Sequence, residues 1–116
     1  MDIALHGFQV VLGLVFVAIG AGKVAGAATF ALGFARFGYP RWFLTVTGLV
    51  EVLSGIGLLV GMFRPELGVV AAALLIATLL GAALTHLRVR DGAARVAPPL
   101  VLLALVVAVG LASFGS

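Results

Sequence analysis

Thr47-Gly48-Leu49-Val50-Glu51-Val52-Leu53-Ser54-Gly55-Ile56-Gly57-Leu58-Leu59-Val60-Gly61 sets one carboxylate inside an otherwise uncharged apolar run. Such a run reads as a membrane helix, and a charged side chain near its centre costs roughly 2.5–3.5 kcal/mol on insertion scales. Acids that persist at that depth face a protein interior and a partner. Glu51 therefore calls for a bundle around it, in which it is either paired or kept protonated by desolvation.

The composition agrees with a membrane setting. The chain has 116 residues, of which 64% are hydrophobic and 9% charged, and its mean hydropathy is +1.34. Soluble chains carry about a quarter of their residues as charges. Four helices of about 20 residues use most of this length, so residues 1–116 are expected to form a single transmembrane domain with nothing left for a domain outside the bilayer. The net charge of +3 and the sequence pI near 10.7 do not point to nucleic acid, because the arginines are dispersed between apolar runs rather than gathered on one soluble face. The absence of cysteine excludes disulfides, thiolate metal sites, iron–sulfur ligation and CxxC exchange by this chain itself. The N-terminus lacks a basic region and a cleavage site, so Met1 is expected to start the mature chain.

Four spans are expected, at about 6–26, 41–62, 65–87 and 97–114. In the first, His6, Gln9, Gly13, Phe16, Gly20 and Lys23 recur at spacings of three and four and form one stripe toward other helices, with Leu12, Leu14, Val15 and Ile19 largely off it. Phe30, Phe34 and Phe37 mark a short amphipathic helix lying along the membrane surface between the first and second spans. Tyr39 and Trp42 fit the interfacial aromatic belt, and Pro40 suits a helix start. Residues 88–95 read as the clearly polar loop, and the last span, opening on Pro98-Pro99, as an uncharged lipid-facing wall. The Gly22/Gly26 and Gly57/Gly61 pairs have the spacing of helix-packing glycines. The fold class is thus an all-α integral membrane four-helix bundle, multi-pass in the cell membrane. Lys23, Arg36, Arg41, Arg88, Arg90 and Arg95 share one side and Arg64 the other, which puts the first and third connections in the cytoplasm and both termini outside.

Depth limits which polar groups can meet. Glu51 lies about 15 Å into its helix at 1.5 Å per residue, whereas Lys23 and His86 lie near the cytoplasmic ends of theirs. Lys23 is long enough to reach inward or to snorkel outward. The expected polar, ligand-binding cluster is Lys23, Thr47, Glu51, Thr85 and His86. Against it stand plainer roles: His86 as a helix-end marker, and Thr47, Ser54, Thr78 and Thr85 as donors to a carbonyl one turn back. No catalytic residue is assigned, and whether the chain is an enzyme is left open. His6 and His86 fall at opposite faces, so one chain cannot hold a bis-histidine haem, and His86 with Glu51 alone gives too few ligands for a metal.

Gly13-x-x-Phe16-x-x-x-Gly20-x-x-Lys23, Gly38-Tyr39-Pro40-x-Trp42, Thr47-Gly48-x-x-Glu51 with Gly55 and Gly57-Leu58-Leu59, and Ala82-x-x-Thr85-His86 together resemble the DoxX-like family of small four-span membrane proteins. The resemblance covers nearly all of the chain except the last span, and the family's polar positions fall on Lys23, Glu51 and His86. It implies kinship with a membrane subunit of archaeal thiosulfate:quinone oxidoreductase and quinol oxidase systems, with bacterial oxidative-stress assemblies, and with animal assembly factors for ligand-gated channels. Two functions follow from it. One is an accessory subunit of a quinone-linked or oxidative-stress redox system that binds a quinone or lipid. The other is a non-catalytic assembly or interaction protein whose polar cluster only fixes helix register. A proton or small-solute conduit ranks last, for want of a polar interior residue in the fourth span. The expected partners are membrane lipid, a larger redox or membrane protein, and a second copy of the chain, with no nucleic acid.

Overall fold

The computed structural model describes residues 3–114. Five helices follow one another: α1 (Ile3–Ala25), α2 (Ala28–Phe37), α3 (Arg41–Val60), α4 (Pro65–Arg88) and α5 (Ala93–Phe114). All but α2 are long and apolar enough to cross a membrane. The outward positions carry large apolar side chains such as Leu14, Leu53, Leu84 and Leu111, each more than half exposed. That is the surface a bilayer accepts and water does not.

α1 packs chiefly on α3, α3 on α4 and α4 on α5, and α1 meets α5 only lightly. The α1–α3 seam is built on glycine. A Cβ added to Gly48 would meet the Gly20 carbonyl oxygen at 2.8 Å, and one on Gly55 would meet that of Gly13 at 2.7 Å. The pairs Gly13–Gly55 and Gly20–Gly48 run in opposite directions along their helices and are seven residues apart on each. A seven-residue repeat keeps two antiparallel helices in contact over successive turns, and glycine lets the backbones approach. Beyond this seam lies a dry core in which Leu12, Phe16, Leu58, Leu75, Val106 and Val109 are all at most 3% exposed.

Several expectations are corrected. Leu12 is buried beside Gly13 and Phe16, so the inward face of α1 is wider than the polar stripe alone. Gly26 does not pack a helix: with φ of 74° it ends α1, and the Ala27 N–H returns to the Gly22 carbonyl at 2.9 Å. A positive φ is cheap only for glycine. Gly22, its expected packing partner, instead lies against the ring of Phe30. The polar segment 88–95 is a loop only over residues 89–92, because Arg88 closes α4 and Arg95 stands in the first turn of α5. The helix of the last expected span therefore begins at Ala93, and its first turn carries Arg95. Nor is it only a wall, since Val106, Val109 and Ser113 are buried in the bundle.

α2 is different in kind. It buries none of its residues. It ends on Gly38 at φ 84°, and the Tyr39 N–H bonds to the Phe34 carbonyl at 2.9 Å.

Candidate functional site

Glu51 finds its partner in Lys23. The ammonium donates to Glu51 Oε1 at 2.5 Å, with the two side chains 14% and 4% exposed. The glycine register explains the reach. Gly20 faces Gly48, so Lys23 stands level with Thr45, and Glu51 is six residues farther along α3, about 9 Å at 1.5 Å per residue. The Lys23 stem bridges that distance by lying across Gly48, where an added Cβ would meet the Lys23 Cβ at 2.8 Å. A glycine at 48 thus both closes the seam and leaves the channel for the lysine. Lys23 turns inward rather than snorkelling, and its ammonium also lies 5.7 Å and 5.4 Å from the ring centres of Phe30 and Phe34. Aromatic faces attract a cation that has left water.

Lys23 opens onto a cavity of about 870 Å³ between α2 and the ends of α3, α4 and α5. Phe30, Phe34, Phe37, Tyr39 and Phe43 form its aromatic wall, while Ala77, Gly81 and Ala82 give the α4 side a shallow floor. The rings of Phe34, Phe37, Tyr39 and Phe43 meet edge to face or tilted at 5.1 to 6.1 Å, as in Tyr39–Phe43 and Phe34–Phe37. Such contacts stiffen the wall. Thr47, Thr85 and His86 also line the space.

The hydroxyls of Thr47, Thr78 and Thr85 are accounted for locally. Thr47 donates to the Leu44 carbonyl at 3.0 Å, Thr78 to Leu74 at 2.9 Å and Thr85 to Gly81 at 2.8 Å, the back-bonding expected of them. Because the Thr85 hydrogen is used on Gly81, the Tyr39 hydroxyl donates to Thr85 Oγ1, at 2.8 Å. Tyr39 is thereby turned into the cavity, while Trp42 is 65% exposed on the outside. Ser54, one turn from Glu51, is buried without a hydrogen-bond partner, as are Gln9 Oε1 and Ser113 Oγ. Gln9 Nε2 donates to the Leu58 carbonyl at 2.6 Å.

His86 is not joined to Glu51. Its Nδ1 lies 2.5 Å from Asp91 Oδ2, and the same carboxylate takes two bonds from Arg36, at 3.0 and 2.9 Å. The bidentate guanidinium, then His86, hold the Asp91 carboxyl well below the usual carboxylate range. Arg88 reaches the Phe37 carbonyl at 2.8 Å, and the Phe37 ring stands edge-on to His86 at 5.3 Å. These bonds tie the end of α2 to the α4–α5 turn. The turn itself is strained, with Arg90 at φ 61°, a conformation that costs a non-glycine residue roughly 1–2 kcal/mol.

The polar residues expected to gather therefore divide into two groups around one cavity. Lys23 and Thr47 line it on one side, with Glu51 buried behind Lys23, and Thr85 and His86 line it on the α4 side. Asp91, Arg36 and Arg95 complete the rim, although none of them stands among the expected site residues. The sequence does carry a signal for Asp91: it is the one acid in a segment otherwise rich in arginine.

A small all-α multi-pass protein with a lysine–glutamate pair locked across a glycine seam, and an aromatic cavity beside it, is the class this geometry defines. The chain belongs to the DoxX-like family, whose family model matches residues 7–109. That match extends into α5, beyond the motifs that carry the resemblance. No curated protein and no solved structure matches the chain.

Proposed function

We propose that this DoxX-like chain is an accessory or membrane subunit of a quinone-linked or oxidative-stress redox system, and that the cavity under α2 receives a quinone or a membrane lipid. The observation that carries this reading is the aromatic-walled space of about 870 Å³ with Lys23, Tyr39, Thr85 and His86 on its lining. Sites for small apolar molecules have roughly 300–1,000 Å³ and a few converging polar groups. The residues present fit a quinone. Phenylalanine edges and faces can hold a planar ring, and the remaining N–H groups of Lys23 can donate to a ring oxygen. Asp91 engages His86 Nδ1, which leaves Nε2 as the ring atom for a ligand proton. Glu51 holds Lys23 in place and keeps its charge balanced. When bound, a quinone supplies the redox chemistry, and the electrons come from a partner protein.

In the membrane, the end bearing Lys23, Arg36, Arg41, Arg88, Arg90 and Arg95 faces the cytoplasm, and Arg64 with both termini lies outside. Single cysteines placed at Gly92 and Phe63 in this cysteine-free chain test the orientation. An impermeant thiol reagent applied from outside should label the second and spare the first.

Isolation in mild detergent, followed by mass spectrometry, tests the rest. Recovery of a quinone or lipid together with a larger membrane protein supports the reading. A chain recovered alone and empty from native membrane contradicts it.

A second reading, a non-catalytic assembly factor or interaction protein, is favoured by one observation. Lys23 and Glu51 satisfy one another across the α1–α3 seam, so the pair serves helix register without any ligand. In that case a partner, or a second copy of the chain, is recovered but no small molecule is.

A further inference from the structure

Building on the reading of the cavity as a site for an amphiphile, we infer that the molecule it holds has an anionic head. It is a single-chain membrane amphiphile whose carboxylate or phosphate sits at the rim beside Arg36 and Arg95, with its chain against the phenylalanine wall.

The charges around the cavity do not balance. Lys23, Arg36 and Arg95 line it. Two acids answer them: Glu51 is taken by Lys23, and Asp91 by Arg36 and His86. Three cations against two anions leave an excess of one positive charge. Arg88 and Arg90 stand close by in sequence and add to it.

Of the three cations that line the cavity, Arg95 is the least committed to a partner. It forms an ion pair with Asp91 Oδ1 at 3.6 Å, outside hydrogen-bond reach, whereas Arg36 makes two hydrogen bonds to the same carboxylate. Its donors are thus available at the rim. Arg95 also stands in the first turn of α5, which has no acidic residue there. The N-terminal end of a helix is already positive and normally favours acids. A cation on that pole raises the local potential, and an arriving anion relieves both.

The apolar lining sets the rest of the ligand. A free inorganic anion gains nothing from Phe30, Phe34 and Phe43, whereas a hydrocarbon chain does. The volume of about 870 Å³ lies toward the upper end of the range for small-molecule sites, about 300–1,000 Å³, and suits one chain rather than two. A neutral quinone uses the donors but leaves the charge unmatched.

The test compares oleate, lysophosphatidate, oleyl alcohol and decylubiquinone for binding to the whole chain in mild detergent, read by native mass spectrometry. Oleate and lysophosphatidate should bind about 10-fold more tightly than oleyl alcohol, and the gap should shrink as salt rises. Arg95→Gln, at a side chain 61% exposed, leaves the fold intact and should bring oleate within about 3-fold of the alcohol. Equal binding of oleate and oleyl alcohol, or a preference untouched by Arg95→Gln, overturns the anionic head while the amphiphile cavity stands. Displacement of oleate by an equal concentration of inorganic phosphate overturns it too, because the chain then contributes nothing. If none of the four binds, the head assignment and the cavity reading fall together.

Discussion

The α1–α3 seam and the α2 end of the molecule treat polar groups in opposite ways. In the seam, backbone meets backbone, and the single charge that enters arrives already paired. At the α2 end, charges and hydroxyls surround open space under a helix that buries nothing of its own. One region uses its polar residues to hold two helices in register, and the other keeps them around a cavity. The contrast teaches that a short chain can separate rigidity from binding by placing glycine where helices must touch and phenylalanine where they must not.

The contrast is broken most severely by splitting the buried pair. Lys23→Met leaves Glu51 uncompensated, and removal of one partner of a buried ion pair costs roughly 3–5 kcal/mol. Unfolding in detergent should show that loss, and the double variant Lys23→Met/Glu51→Leu should recover most of it. A double variant as unstable as the single one would mean that the pair is not coupled.

Next in size is Gly48→Ala. Its methyl group meets the Gly20 carbonyl and the Lys23 stem, so the helices must part, at a cost of about 1–3 kcal/mol. Gly81→Leu sharpens the comparison from the other side. A Cβ at Gly81 meets nothing within 4 Å, yet the residue lines the cavity. Stability should change by less than about 0.5 kcal/mol while co-purifying quinone or lipid disappears; unchanged ligand recovery would place binding elsewhere.

Arg90→Gly should raise stability by up to about 1–2 kcal/mol, since glycine adopts positive φ without strain. No change in the unfolding midpoint would show that the turn is not strained. The mildest effect concerns acid. Asp91 has a folded pKa below its unfolded value of about 3.9, so its contribution is complete above that value and is lost only as pH falls through the folded one. Amide exchange in α2 should therefore be steady from neutral pH down to about 4 once corrected for intrinsic rates, and rise in stronger acid. Asp91→Asn should show the faster exchange already at neutral pH.

Much of the architecture is legible in the order of residues. Spans read from apolar length, the short helix from Phe30, Phe34 and Phe37, and the inward stripe of α1 from Gly13, Phe16 and Gly20 all correspond to what is seen. Leu12 escapes such a reading because apolar residues in a membrane helix carry no marker of inside against outside. Gly26 misleads because a packing glycine and a helix-ending glycine have the same identity and differ only in φ. Asp91 is hard to place because a residue between helices has no periodicity.

What the amino-acid order determined by itself was the four-span, all-helical plan and the need of Glu51 for a partner. Both follow from the cost of exposing polar backbone and charge to hydrocarbon, which acts residue by residue. Only the tertiary structure decided that Lys23 bends inward over Gly48 to Glu51, and that His86 joins Asp91 instead. Those pairings depend on helix register and on how closely backbones approach, and each is a sum over contacts between segments that no single segment contains.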